Sequence, residues 1–116
     1  NMRRLLAILT GVLLMFALSC EKYLIPPPEV PTGISYAEQI QPIFDDKCVS
    51  CHSGGIPPDL SAEFSYEELI DGGFIDTDNP EESELYQKLL GTHNSRATEE
   101  EKLTILQWIT EGALNN

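Results

Sequence analysis

The hydrophobic pattern splits the chain into three parts. Leu5 to Leu18 is an almost wholly apolar run of 14 residues, preceded by Arg3-Arg4 and closed by Ser19-Cys20. A membrane span needs about 20 apolar residues. A shorter run with a positive start and a small-residue close predicts a secretory signal peptide over residues 1–19. Residues 20–33 hold Pro26, Pro27, Pro28 and Pro31 and little to bury. They predict an extended, semi-rigid tether. From Ile34 onward the apolar residues recur at helical spacing.

Four helical segments follow from that spacing. Ser35-Tyr36-Ala37-Glu38 has capping-box spacing and opens the first, with Ile40, Ile43 and Phe44 as its apolar face. Pro42 predicts a kink or a fresh start within it. A short second helix covers Ser65 to Ile70 and is closed by Gly72-Gly73. The third opens at Asn79-Pro80, a cap residue followed by proline, and carries Leu85, Leu89 and Leu90 to Gly91. The fourth opens with a second capping box, Thr98 to Glu101. Leu103, Leu106, Ile109 and Ala113 form its stripe, with Trp108 beside it. No segment alternates as a strand does, so the expected fold is all-α, one domain over 34–116. At that size a hydrophobic core alone is marginal and a covalent or metal staple helps.

Charge and cysteines narrow the setting. The chain carries 7 Lys/Arg and 19 Asp/Glu, a formal charge of −12. Removing Arg3 and Arg4 with the signal leaves 5 against 19, or −14. So acidic a surface repels nucleic acid and gives no attraction to anionic membrane. It serves as a solvated face or as a docking field for a basic partner. Ala17-Leu18-Ser19-Cys20 resembles a bacterial lipobox, with Ala17 where that pattern usually has leucine. Lipidation of Cys20 would make the chain an exported lipoprotein held at a membrane; the alternative is an ordinary signal peptide with an incidental cysteine. Glu21 after Cys20 is not the aspartate of inner-membrane retention, which leans the expectation toward the outer membrane.

Cys48 and Cys51 then remain, in an oxidising compartment. Cys48-Val49-Ser50-Cys51-His52 is the Cys-x-x-Cys-His pattern of c-type haem attachment. Two thiols three apart at a helix end reach both vinyl groups on one porphyrin edge, and the next residue offers its imidazole to the iron. A zinc site would need four ligands, and Cys48, Cys51, His52 and His93 could make the set, although adjacent Cys51 and His52 share one metal awkwardly. A thioredoxin-type pair belongs near a βαβ pattern, and none is visible.

Ile40-Gln41-Pro42-Ile43-Phe44, Lys47-Cys48-x-x-Cys51-His52, Pro80-Glu81-Glu82-Ser83-Glu84-Leu85-Tyr86 and Gln107-Trp108-Ile109-x-x-Gly112-Ala113 resemble the small single-haem cytochromes c of class I type, in particular the short planctomycete-type cytochrome c domains. The resemblance implies one covalent haem c, with the first and last helices crossing beside it. It implies Cys48 and Cys51 as attachment points and His52 as proximal ligand. It also implies a proline carbonyl, from Pro57 or Pro58, accepting a hydrogen bond from the His52 ring. The family pattern places a methionine in the loop before the last helix as second axial ligand. Here the two methionines, Met2 and Met15, both lie in the signal segment. Aligning Ala97 to Glu101 with the final-helix start puts His93 at about that place, so His93 is the expected distal ligand. The alternative is an iron with an open or water-filled sixth position.

Asp71, Asp76 and Asp78 lack the twelve-residue spacing and closing glutamate of a calcium loop, so turn and cap roles are expected of them. No triad or phosphate loop is evident, and no catalysis is expected. Three functions stay open: a membrane-anchored carrier of single electrons between redox partners, a haem-based module binding small ligands such as carbon monoxide, nitric oxide or oxygen, and a surface lipoprotein in which haem is a structural staple.

Overall fold

The computed structural model describes residues 1–4, 26 and 29–116. The apolar run, Cys20 and most of the tether lie outside the described residues. Among the described residues the chain is helical without strands, an all-α domain, and no helix is long and apolar enough to cross a membrane.

The first helical segment is two pieces. Tyr36–Ile40 is a π-helical turn, closed by the Gln41 N–H donating to the Tyr36 carbonyl. Helix α1, Gln41–Lys47, follows with Pro42 in its first turn. Pro42 has no N–H to carry the ladder across the junction, so the fresh start falls there. The wide π turn also alters the expected cap. The Ser35 hydroxyl accepts from the Glu38 N–H at 3.2 Å, but the reciprocal acceptor is Gln39, whose Oε1 lies 2.9 Å from the Ser35 nitrogen. The extra residue per turn brings Gln39, rather than Glu38, over the cap.

Helix α2 is Ser65–Asp71. It ends as expected at Gly72 and Gly73, where the Phe74 N–H reaches the Leu69 carbonyl at 3.0 Å. The third segment divides at Ser83 into a 3₁₀ turn, Pro80–Glu82, and helix α3, Glu84–Leu90. Ser83 is buried, and its hydroxyl accepts from the Asp76 N–H at 2.8 Å, which holds the backbone extended at this point. Asn79 makes no side-chain cap here. The Asp76 carboxylate accepts from the Asp78 and Asn79 N–H groups instead, at 3.0 and 2.9 Å, the turn role expected of that aspartate. Leu89 is buried, but Leu90 faces solvent.

Helix α4, Glu99–Thr110, opens on the predicted capping box. Thr98 Oγ1 accepts from the Glu101 N–H at 3.2 Å, and the Thr98 N–H donates to Glu101 Oε2 at 2.7 Å. Its buried face matches the expected stripe only in part: Ile109, Ala113 and Trp108 are buried as expected. Lys102, Ile105, Trp108 and Ile109 are inside, while Leu103 and Leu106 are only half-buried. The helix is rotated because Trp108 packs against Tyr36, ring centres 5.2 Å apart and inclined 44°. The Trp108 indole N–H also donates to the Leu114 carbonyl at 2.9 Å. Past the helix Gly112 takes φ +100°, a left-handed backbone that suits glycine, and the Ala113 N–H closes on the Trp108 carbonyl at 2.9 Å.

Start and end of the domain are thereby clasped. The Glu111 carboxylate accepts from the Gly33 and Ile34 N–H groups at 2.9 and 2.8 Å. The core runs from Tyr36, Ile40 and Phe44 through Leu60, Leu69 and Leu89 to Ile105, Trp108 and Ile109. A buried polar chain crosses it: the Tyr36 hydroxyl donates to Ser65 Oγ at 2.6 Å, Ser65 donates to Gln41 Oε1, and Gln41 Nε2 donates to the Leu60 carbonyl at 3.0 Å. No buried side-chain nitrogen or oxygen among the described residues lacks a partner.

Candidate functional site

Helix α1 delivers Cys48 by a helical bond, the Cys48 N–H to the Phe44 carbonyl at 2.9 Å. The chain then turns tightly: the Cys51 and His52 N–H groups both reach the Cys48 carbonyl, at 3.1 and 3.0 Å. Cys48 is half-buried, Cys51 is exposed, and neither forms a disulfide. The segment after His52 folds back over it, with the Leu60 N–H donating to the His52 carbonyl at 2.7 Å.

This fold-back fixes the His52 ring. Its Nδ1 lies 3.0 Å from the Ile56 carbonyl oxygen and 3.1 Å from that of Pro58. Both partners can only accept, so Nδ1 carries the proton and Nε2 keeps its lone pair. Orientation of a ligating histidine by a carbonyl on its other nitrogen is the usual support of a metal-binding imidazole. Of the two candidate prolines, Pro58 makes the contact; Ile56, not anticipated from the sequence, shares it.

Cys48, Cys51 and His52 line a cleft that opens to solvent. Leu60, Phe74, Leu85 and Leu89 supply apolar walls, and His93 and Arg96 also line the cleft. His93 sits in the exposed loop between α3 and α4. Its N–H donates to the Lys88 carbonyl at 2.9 Å, and its Nδ1 lies 2.9 Å from Thr92 Oγ1. The His52 and His93 ring centres are 6.3 Å apart, inclined 49°. Two imidazoles sharing one metal, with metal–nitrogen bonds of about 2 Å, have ring centres roughly 6 Å apart. Among the described residues no three His, Cys, Asp or Glu side chains gather as a metal-holding group.

The electrostatics of the cleft differ from those of the chain as a whole. The chain has 19 acidic residues, yet among the described ones none lines the cleft, while Lys47 and Arg96 do. Lys47 is paired with Asp46 at 2.8 Å. Burial pushes the Cys48 thiol up to about 11, with Glu101 adding to the shift and Arg96 opposing it. A thiol held protonated is a poor thiolate ligand and a slow partner in disulfide exchange.

The sequence reading missed Lys102. It is 2% exposed, and its ammonium donates to Glu99 Oε1 at 2.7 Å and to Asn94 Oδ1, in the His93 loop. The available signal was its register, three before Ile105 and seven before Ile109 on one helix face. Comparison with family models, with curated proteins and with solved structures gives no match.

Proposed function

We propose that the chain is a single-haem c-type cytochrome domain that carries one electron at a time between redox partner proteins. The observation that carries this reading is the proximity of His52 and His93, ring centres 6.3 Å apart, in a cleft that Cys48 and Cys51 also line. The residues fit the group: two thiols three apart, an imidazole with its Nε2 lone pair free, a second imidazole nearby, and apolar walls. When bound, haem c supplies a one-electron iron couple whose potential depends on axial ligands, hydrogen bonding and burial. Cys48 and Cys51 would hold it covalently, with His52 Nε2 and His93 as the iron ligands. Ile56 and Pro58 set the His52 ring, and Leu60, Phe74, Leu85 and Leu89 offer the group an apolar surface. With histidine in place of methionine, the potential is expected below that of a Met/His site.

The signal segment and Cys20 extend this to an exported lipoprotein, tethered through residues 20–33 to a membrane, with the outer membrane favoured. The acidic surface then faces a basic partner away from the cleft.

The exposure of His93 favours one second reading, a small-ligand-binding module with an open distal position. Absorption spectra of oxidised and reduced protein test both, wild type beside His93→Ala. The cytochrome reading expects covalent haem and a low-spin spectrum that turns high-spin in the variant. A wild-type protein without covalent haem would overturn the assignment, and an unchanged spectrum in the variant would remove His93 from the site.

A further inference from the structure

Lys102 stands on the core face of α4 with Ile105 and Ile109, and its side chain is 3% exposed. An ammonium so placed must have its donors satisfied or it opposes folding. Glu99, on the same helix, would serve wherever the neighbouring loop lay. Asn94 is different, because it follows His93 directly. The remaining hydrogen bonds of residues 91–96 are to one another or back to α3: Gly91 to Gln87, His93 to Lys88, Asn94 to Gly91, Arg96 to His93. They give the loop its shape but do not seat it on α4. Among the described residues, Lys102 to Asn94 is the one side-chain hydrogen bond that does so.

We propose that Lys102 and Asn94 form a latch that sets the reach of His93 toward His52. The pair acts as positioning residues, and the proposal rests on the reading of His93 as distal ligand. A buried cation on the rigid α4 face fixes Asn94, and Asn94 fixes its neighbour. Without the latch the loop keeps its local turns but shifts between positions, and His93 occupies the distal position for a smaller fraction of the time. A competing diatomic ligand then enters faster.

Carbon monoxide binding to the reduced, haem-loaded protein measures this directly. The latch expects slow binding in wild type, fast binding in His93→Ala, and rates at least about tenfold above wild type in both Lys102→Met and Asn94→Ala, the fold-change that follows from losing one hydrogen bond to a charged group. Asn94→Asp keeps the acceptor and is expected to stay at the wild-type rate. Methionine retains the apolar stem of Lys102, so α4 keeps its core packing. Asn94 is exposed and Glu99 still partners the Lys102 ammonium in Asn94→Ala, so this variant carries the test even if the Lys102 variant fails to fold. Wild-type rates in Asn94→Ala and Lys102→Met, beside a fast His93→Ala, would overturn the latch and leave the distal assignment standing. A wild type as fast as His93→Ala would overturn both.

Discussion

His52 Nδ1 lies 3.1 Å from the carbonyl oxygen of Pro58, and that contact decides which nitrogen of the ring is free. With Ile56 as second acceptor at 3.0 Å, the neutral imidazole is held as the Nδ1–H tautomer. Nitrogen-15 shifts of the haem-free protein, recorded above the titration of its histidines, should show a protonated Nδ1 for His52. A protonated Nε2 would mean that the 53–59 segment does not orient this ring.

Cys48 and Cys51 should differ in reactivity before any cofactor is attached. Burial raises the Cys48 thiol to about 11, and Cys51 is exposed. In haem-free protein an alkylating reagent at pH 8 is expected to label Cys51 first. The Cys48 rate should rise about tenfold per pH unit and level only near pH 11, because thiolate is the reacting form. Mass spectrometry of timed digests reads both sites. Equal rates at pH 8 would contradict the buried setting of Cys48.

Tyr36 predicts an alkaline limit to stability. Burial raises its hydroxyl to about 12, against a smaller lowering by the Ser65 hydrogen bond. The folded state thus prefers the neutral phenol more strongly than the unfolded chain does. That contribution is complete below pH 10, the ordinary tyrosine value, and is lost as pH rises toward 12. Denaturant midpoints should fall between pH 10 and 12 in wild type and fall less in Tyr36→Phe. The variant itself should cost about 1 kcal/mol at neutral pH, since it removes one buried hydrogen bond while Ser65 keeps Gln41.

Gly72 links the end of α2 to the cleft wall. A Cβ at this position would meet Phe74 Cε2 at 2.6 Å and the Glu68 carbonyl oxygen as well. The backbone contact cannot swing aside, and Phe74 lines the cleft. Gly72→Ala is expected to destabilise the domain by roughly 1–3 kcal/mol, the range for overpacking, and to perturb the absorption of the bound cofactor. A variant with wild-type stability would show that α2 can end differently.

How much was legible in the chain depended on the range of the interaction. Thr98 and Glu101 close their capping box as the spacing predicts, because both partners lie within one turn. Gly72-Gly73 ends α2 for the same reason. The cap at Ser35 slipped by one residue, to Gln39, because the turn after it is π-helical and spacing alone assumed an α turn. The stripe of α4 held at Ile109 and Ala113 but was misplaced at Leu103 and Leu106, which score as well as Ile105 by hydrophobicity. What rotates the helix is Trp108 against Tyr36, a contact between the two ends of the domain. Lys102 was invisible because a lysine reads as surface unless its partners are known.

By itself the sequence determined the helical class, the proline and glycine boundaries, and the Cys48–Cys51–His52 cluster. These are set by bond geometry and backbone freedom within a few residues. It also raised His93 as a candidate, by alignment of its loop and not by any contact. Only the tertiary structure decided which face of α4 is buried, that Ile56 and Pro58 hold the His52 ring, and that His93 comes within 6.3 Å of it. Those distances arise when α1, α3 and α4 pack on one core, and packing couples residues that no local spacing relates.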